Sequence, residues 1–585
     1  MDESERPSRV DRTAFLAAAG AVVAGGALGV PVATAARSPS RKVRTWNRTA
    51  DVVVVGSGGA AYAAAVTAQS RRASVIMLEK ASQAGGTTGK SGGMWWVPNN
   101  SLMRAAGLSD PREDAIRYMV RCSYPTLYDP NAARFGVPEW EYSLIAAYYD
   151  SASVATDALA RLGALQATVQ IGLVFPDYYA HLPEDKAPYG RGLFPKAPDG
   201  TPGQGAELIR QMKAAADRRR IPLLLNHRVT RVLTNAKGQV IGVEAASRGR
   251  TIAVRARKAV VFGSGGFTHN RQMALNYLRG PIFGGCAVPT NTGDFVEIGL
   301  ELGAEFANMN NAWWGEVPIE QALESSSTPS LVFSVPGDSM IHVSRYGRRV
   351  VDEKSQYNER AQDHFFWDPV RGEYPNLVLF MIYDQRTADA FAGNYPLPAR
   401  GASAPYVIAG ASLDELTRNI EARLQQLSGR GSVASRVLAN LRLDPAFAAN
   451  LRETIARYNG FAETGKDLDF NRGEAPIDVF FHAFANSPKH DKPNPTMYPI
   501  SSSGPYYCIL LGAGTLDTKG GPKVNARAQV LDTKGRPIPG LYGAGNCIGG
   551  PAGQAYWSGG GTIGPALTFG YLAGVNAPKE SVKSE

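Results

Sequence analysis

Between Asp51 and Glu79 the chain sets glycines, small residues and one acid at the spacing that holds a dinucleotide. An apolar run, Val52-Val53-Val54-Val55, ends in Gly56-Ser57-Gly58-Gly59-Ala60-Ala61. The first glycine lets a strand turn sharply, and the second lets backbone approach a pyrophosphate. An anion is favoured there because a helix N-terminus offers free N–H groups and the positive end of its dipole. Ala61 stands where a third glycine would allow close helix packing. A second apolar run, Val75-Ile76-Met77-Leu78, leads into Glu79 about 20 residues further on, placed to accept from a ribose hydroxyl. Strand, turn, helix, strand and acid in this order predict a bound dinucleotide. The next segment, Gly85-Gly86-Thr87-Thr88-Gly89-Lys90-Ser91-Gly92-Gly93, is rich in glycine and hydroxyls. Such a loop lets backbone pass close to a large planar ligand and supplies hydrogen bonds to it.

The elements that must position these groups follow from periodicity. Apolar residues at helical spacing predict helices over 111–119 and 142–162, and residues 203–220 read as a third. Strand-like segments follow at 223–225, 229–234, 240–245 and 251–254. A buried strand over 258–262 then runs into Gly263-Ser264-Gly265-Gly266 and returns the chain to the nucleotide sheet. Residues 286–494 change texture, with more aromatics and prolines. Ser412 and Glu415 form a capping-box helix start there, and another helix runs to about Tyr458. The last part is glycine-dense, with a strand and turn over 540–546. The expectation is an α/β protein with a discontinuous Rossmann-type domain, residues 51–285 and 495–577. An α+β domain, residues 286–494, is inserted in it, with a linker at 37–50 and a tail at 578–585.

A chain of 585 residues is too long for one core. The net charge of +10 invites a nucleic-acid reading. The basic residues are scattered, however, and no zinc-finger spacing or aromatic RNA-binding motif accompanies them, so the charge reads as a solvated surface. Cys122, Cys286, Cys508 and Cys547 lie far apart with no CxxC or CxxH spacing, and the seven histidines are equally dispersed. Neither a metal site nor a redox dithiol is expected. At the N-terminus, Arg9 and Arg12 precede an apolar stretch and then Pro31-Val32-Ala33-Thr34-Ala35-Ala36. This reads as a signal peptide over residues 1–36 rather than a membrane span, and predicts export. It resembles a twin-arginine signal, with Thr13 in place of the second arginine. The alternative is a cytoplasmic protein.

Several segments together resemble the fumarate reductase/3-ketosteroid dehydrogenase flavoproteins: the opening strand and turn, GGTTGKSGG, AVVFGSGGF, RYNGFAETGKDLDF, and PIPGLYGAGN followed by GGGTIGPALTFGYLAG. The resemblance implies FAD, bound without a covalent link since residues 85–93 contain no histidine. It assigns the cofactor to Gly56, Ser57, Gly58, Gly59, Ala60, Ala61, Glu79, Lys80, Gly86, Thr87, Thr88, Ser91, Gly92, Gly93, Val229, Gly545, Asn546, Thr562 and Ile563.

Within that family the resemblance is to the ketosteroid branch. The segment Gly347-Arg348-Arg349 to Glu353 leads to Tyr357, where the fumarate reductase branch has a proton-donating arginine. Tyr556 and Gly560 keep the spacing of a carbonyl-holding tyrosine and glycine ahead of Thr562-Ile563-Gly564-Pro565-Ala566. Trp557 and Ser558 replace the usual proline and glycine, which predicts an altered pocket floor. A supporting tyrosine is Tyr178 or Tyr179, with Tyr178 preferred. The implied chemistry is formation of a C=C bond α,β to a cyclic ketone. Tyr357 takes a proton from carbon, provided a second phenol and a nearby positive charge favour its phenolate. A phenol and a backbone N–H hold the ketone oxygen. The implied partners are a small hydrophobic cyclic ketone and an electron acceptor, quinone or other. Glu316, His342 and Arg345 read as structural or surface residues. Alternatives are another cyclic ketone, a fumarate-reductase-like enoate reductase, or a flavin-binding electron carrier.

Overall fold

The computed structural model describes residues 45–169, 174–429, 433–485 and 487–585. The expected signal peptide lies outside them. The chain opens with β1 (Arg48–Val55), α1 (Gly59–Ser70) and β2 (Val75–Leu78). β1 pairs in parallel with β2, Val52 opposite Val75 and Val55 opposite Leu78. Residues Val52 to Val55 are buried, which suits a central parallel strand covered on both faces. A short helix, α2 (Gly86–Lys90), follows, and β3 (Leu223–Leu224) extends the sheet beyond β2. β4 (Arg228–Thr234), β5 (Val240–Ser247) and β6 (Arg250–Phe262) form an antiparallel run whose last strand returns beside β1. The two strands read at 251–254 and 258–262 are one continuous strand. The helices expected at 111–119, 142–162 and 203–220 are Arg112–Ser123, Glu139–Arg161 and Gly205–Arg218.

The inserted region has its own six-stranded sheet: β7 (Gly284–Gly285), β8 (Ala312–Pro318), β9 (Met340–Val343), β10 (Val378–Asp384), β11 (Val407–Gly410) and β12 (Tyr506–Thr518). Two short helices of this region matter below, α3 (Tyr357–Arg360) and α4 (Pro476–Phe484). Ser412 caps the helix Leu413–Ser428 through the Glu415 N–H, while the Glu415 carboxylate takes the N–H of Ala411 rather than of Ser412. β12 corrects the boundary drawn at 495. It pairs with β7, β8, β10 and β11 and is the centre of the second sheet. A long apolar strand carries no mark of which sheet it joins, so the sequence could not place it. The chain re-enters the first sheet at β13 (Gln529–Leu531) and β14 (Pro537–Gly543), giving the order β13-β14-β6-β1-β2-β3. It closes with α5 (Ile563–Asn576).

α1 is made of small residues and buried on nearly every side. It lies between the sheet and α5, and the contact is so close that only glycine fits. A Cβ on Gly570 would come 2.4 Å from the Ala60 carbonyl oxygen, and one on Gly574 2.6 Å from that of Ala64. The two helices therefore run in the same direction, with α5 starting about two turns ahead of α1. Gly570→Val should force them apart. Overpacking of this kind costs about 1–3 kcal/mol, so thermal denaturation should show a lowered midpoint together with less flavin per polypeptide. An unchanged melting curve and flavin content would contradict this packing.

Candidate active site

Gly58, the N-cap residue of α1, has no side chain to cap the helix, and Thr562 at the start of α5 makes no cap bond. Thr88 Oγ takes the Gly59 N–H at 3.1 Å. Both helix ends face a cavity of about 510 Å³. Gly56 adopts φ +106°, and a Cβ there would strike the Gly263 carbonyl oxygen at 2.4 Å. At Gly58 the nearest atom to a Cβ would be 3.5 Å away, and at Gly92 nothing stands within 4 Å, so backbone is exposed to the cavity. Glu79 is held by the Ser57 hydroxyl at 2.7 Å and the Ala81 N–H at 2.8 Å. Lys80 is tied to Thr292 at 2.8 Å and Asp294 at 2.9 Å.

Every expected cofactor residue lines this cavity except Ala61. Ala61 is fully buried behind the wall, where its backbone and Cβ meet Gly263. Its role is the close packing read from the sequence, not contact with a ligand. The wall also includes residues that sequence reasoning missed: His227, Asn291, Asp294 and Asp517. Asp517 is buried, which pushes its carboxyl up, while donors including the Gly266 N–H (2.9 Å), Asn291 (2.7 Å) and Asn546 (3.1 Å) counteract this. No single motif marks it, because its donors come from segments far apart in the chain. Helix N-termini, open glycine backbone and a held carboxylate fit an extended dinucleotide.

The other end of the cavity is aromatic. Tyr357, Tyr178 and Tyr556 meet with ring centroids 5.3–5.5 Å apart, and the Tyr178 and Tyr357 hydroxyls hydrogen-bond at 2.7 Å. Tyr556 oxygen accepts from Thr562 Oγ at 3.1 Å, which leaves its own proton to donate. Gly560 has φ +84°, and a Cβ there would lie 2.6 Å from the Trp95 Cα, so no side chain is possible. Among the described residues its N–H has no acceptor. Phe175, Phe333, Phe481, Phe484 and Met94 complete an apolar wall that sequence reasoning also missed. Aromatic residues of a ligand wall look like core residues in a sequence.

Tyr179 is not part of this group. Its hydroxyl donates to Glu359 at 2.6 Å and lies outside the cavity wall. The two residues lie in a turn closed by the Ala180 N–H on the Asp177 carbonyl at 3.2 Å, and their side chains leave it in different directions. Trp557 and Ser558 do not alter the pocket floor either. Trp557 turns into the core, 5.4 Å from Trp96 and 5.5 Å from Tyr148, with its indole N–H on Ser123 Oγ at 2.9 Å. Ser558 bonds the Pro176 carbonyl at 3.2 Å.

Tyr357 opens α3, and Arg360 anchors the other end of that helix. The buried Arg360 guanidinium donates to Glu316 at 2.5 Å and to the carbonyls of Ser355 and Val332 at 2.6 Å. Burial raises the Glu316 carboxyl, but Arg360 and His342 outweigh it and hold it well below the usual range. His342, fully buried, is pushed down to about 4 by burial. Glu316 and His342 are thus structural, while Arg345 pairs with Glu373 at 2.6 Å near the surface. Burial and the two neighbouring phenols push Tyr357 well above the ordinary phenol value. The expected second phenol is in place, but among the described residues no cation offsets that rise at Tyr357.

A family model described as FAD binding domain matches residues 51–563. The chain belongs to that family. FAD is its cofactor, and the fold is the Rossmann-type FAD domain with an inserted cap domain. The 3-oxosteroid 1-dehydrogenase of Mycolicibacterium smegmatis is 32% identical over 392 residues, 64% of this chain and 62% of that protein. The 4-oxocyclohexanecarboxylate 2-dehydrogenase of Sinomonas cyclohexanicum is 30% identical over 389 residues, 65% of this chain and 62% of that protein. The 3-ketosteroid delta1-dehydrogenase of Sterolibacterium denitrificans, solved with 1,4-androstadiene-3,17-dione, superimposes with a TM-score of 0.74 at 26% identity. That match covers 91% of this chain and 100% of that one. The chain spans about 62% of the length of the curated relatives named here.

Glu79→Gln should weaken FAD binding about tenfold, or roughly 1.4 kcal/mol, measured by flavin release on ultrafiltration at a series of protein concentrations. Unchanged retention would remove Glu79 from the cofactor site.

Proposed function

We propose that this protein is an FAD-dependent dehydrogenase that introduces a C=C bond α,β to the carbonyl of a hydrophobic cyclic ketone, of the 3-ketosteroid Δ1 type. The observation that carries the reading is the meeting of Tyr357, Tyr178 and Tyr556 with the free Gly560 N–H at the apolar end of the cofactor cavity. The Tyr556 O–H and the Gly560 N–H hold the ketone oxygen. As the α-carbon loses its proton, charge builds on that oxygen, where preset donors in a water-poor site are most effective. Tyr357 receives the proton, with the Tyr178 hydroxyl supporting its oxygen. When bound, FAD supplies the acceptor for the hydride leaving the β-carbon. The phenylalanine wall excludes water and favours an uncharged ring system. Tyrosine in place of arginine at position 357 argues against reduction of a dicarboxylate.

Tyr357→Phe removes one oxygen, so folding and FAD content should survive while turnover falls about 10²–10⁴-fold. Tyr556→Phe should cost about 10²–10³-fold and weaken ketones more than the matching alcohols. Because the Tyr357 phenol is held above its ordinary value, only a small deprotonated fraction is competent near neutrality. The rate, as kcat/KM, should therefore rise with pH up to about 10. Below that value the buried phenols' contribution to stability is intact, and it declines above it, so the profile is read below pH about 10. A flat profile, or parent turnover in Tyr357→Phe, would place the base elsewhere.

A further inference from the structure

Tyr178 and the two groups that hold the ketone oxygen come from two segments far apart in the sequence, yet one buried side chain stands behind both. Arg191 is fully buried. Its guanidinium binds Asp110 through two bonds of 2.8 Å, Asp185 at 2.9 Å, and Asp177. Asp177 immediately precedes Tyr178. The other oxygen of Asp177 takes the Trp96 indole N–H at 2.7 Å. The Trp96 backbone N–H bonds the Gly560 carbonyl at 3.1 Å, and the Tyr178 N–H bonds the Trp557 carbonyl at 3.0 Å. The Tyr118 hydroxyl reaches that same Trp557 carbonyl at 2.7 Å. The Arg191 guanidinium lies 5.2 Å from the ring centroids of both Trp96 and Tyr118.

We propose that Arg191, which touches neither substrate nor cofactor, is the positioning residue that sets Tyr178, Tyr556 and the Gly560 N–H in register. The route is short. Arg191 fixes the Asp177 carboxylate, Asp177 fixes Trp96, and Trp96 fixes Gly560 through its backbone and Trp557 through its ring. Trp557 in turn accepts the Tyr178 N–H and is bonded directly to Tyr556. A planar fork of five donors can serve three carboxylates and stack against two rings, which a lysine ammonium cannot. This also gives Trp557 a purpose. The indole fills the core beside Trp96 rather than the substrate pocket.

The inference rests on the ketone dehydrogenase reading, so the test starts with the parent enzyme. Purified holoenzyme, Arg191→Lys and Trp96→Phe are compared for flavin per polypeptide, thermal midpoint, kcat and KM on the parent's best cyclic ketone. The affinity ratio of that ketone to its alcohol is read from the flavin absorbance change on titration. Trp96→Phe removes the indole N–H that reaches Asp177 together with the five-membered part of the ring, and leaves Arg191 and its three carboxylates in place. Arg191→Lys should keep its flavin, lose roughly 10–100-fold in kcat, as small misplacements of reacting groups do, and show a ketone-to-alcohol ratio lowered several-fold. Trp96→Phe should move both quantities in the same direction by less. Parent kcat and parent ratio in Arg191→Lys would overturn the proposal, as would a fall in kcat that only tracks lost flavin. If Arg191→Lys does not fold, Trp96→Phe decides, and a parent-like ratio in it overturns the proposal. A parent enzyme inactive on every cyclic ketone would defeat the functional reading instead, which keeps the two failures apart.

Discussion

The close approach of α1 and α5 is the constraint on which the rest of the molecule depends. Gly570 and Gly574 let α5 lie directly on the backbone of α1. Two helix N-termini therefore open onto one cavity. A helix N-terminus offers N–H groups that its own turns do not satisfy; Thr88 takes that of Gly59, and an anionic ligand suits those that remain. The same packing ties the start of the chain to its end. The nucleotide-binding domain can thus be interrupted by a whole second sheet and still present one continuous site.

The second sheet brings the chemistry to that site. β12 pairs with four of the other five strands of its sheet, and it delivers Asp517 to the cavity wall. α3 carries Tyr357 in only four residues, too short a helix to hold its own position. The buried Arg360–Glu316 pair, at 2.5 Å, supplies the rigidity. Breaking a pair of this kind would leave a buried charge without compensation, typically a loss of about 3–5 kcal/mol. Tyr178 and Tyr556 belong to the nucleotide-binding side, so the reacting tyrosines meet only where the two sheets adjoin. The site is built across that junction rather than within one domain.

What could be read from the sequence was what backbone chemistry dictates. The Gly56-to-Glu79 fingerprint was legible because a pyrophosphate demands glycine and a helix end in a fixed order. Tyr357, Tyr556 and Gly560 were legible because the spacing of family motifs carried them. Ala61, Tyr179 and Trp557 were not, because sequence spacing does not tell which way a side chain faces. Ala61 faces Gly263, Tyr179 faces Glu359, and Trp557 faces Trp96 and Tyr148. The phenylalanine wall was hidden for a different reason. Burial against a ligand and burial in a core select the same residues. The Arg191 hub was hidden because its aspartates, Asp110, Asp177 and Asp185, become neighbours only in three dimensions.

The central claim is that Tyr357 exchanges a proton with the carbon next to a ketone held by Tyr556 and Gly560. The most direct measurement is hydrogen exchange into deuterated water, followed by mass spectrometry or NMR of the recovered ketone, with holoenzyme and no electron acceptor. Parent enzyme should incorporate deuterium at the α-carbon, Tyr556→Phe should do so more slowly, and Tyr357→Phe should not do so above the uncatalysed rate. Exchange at the parent rate in Tyr357→Phe would contradict the assignment of the proton acceptor.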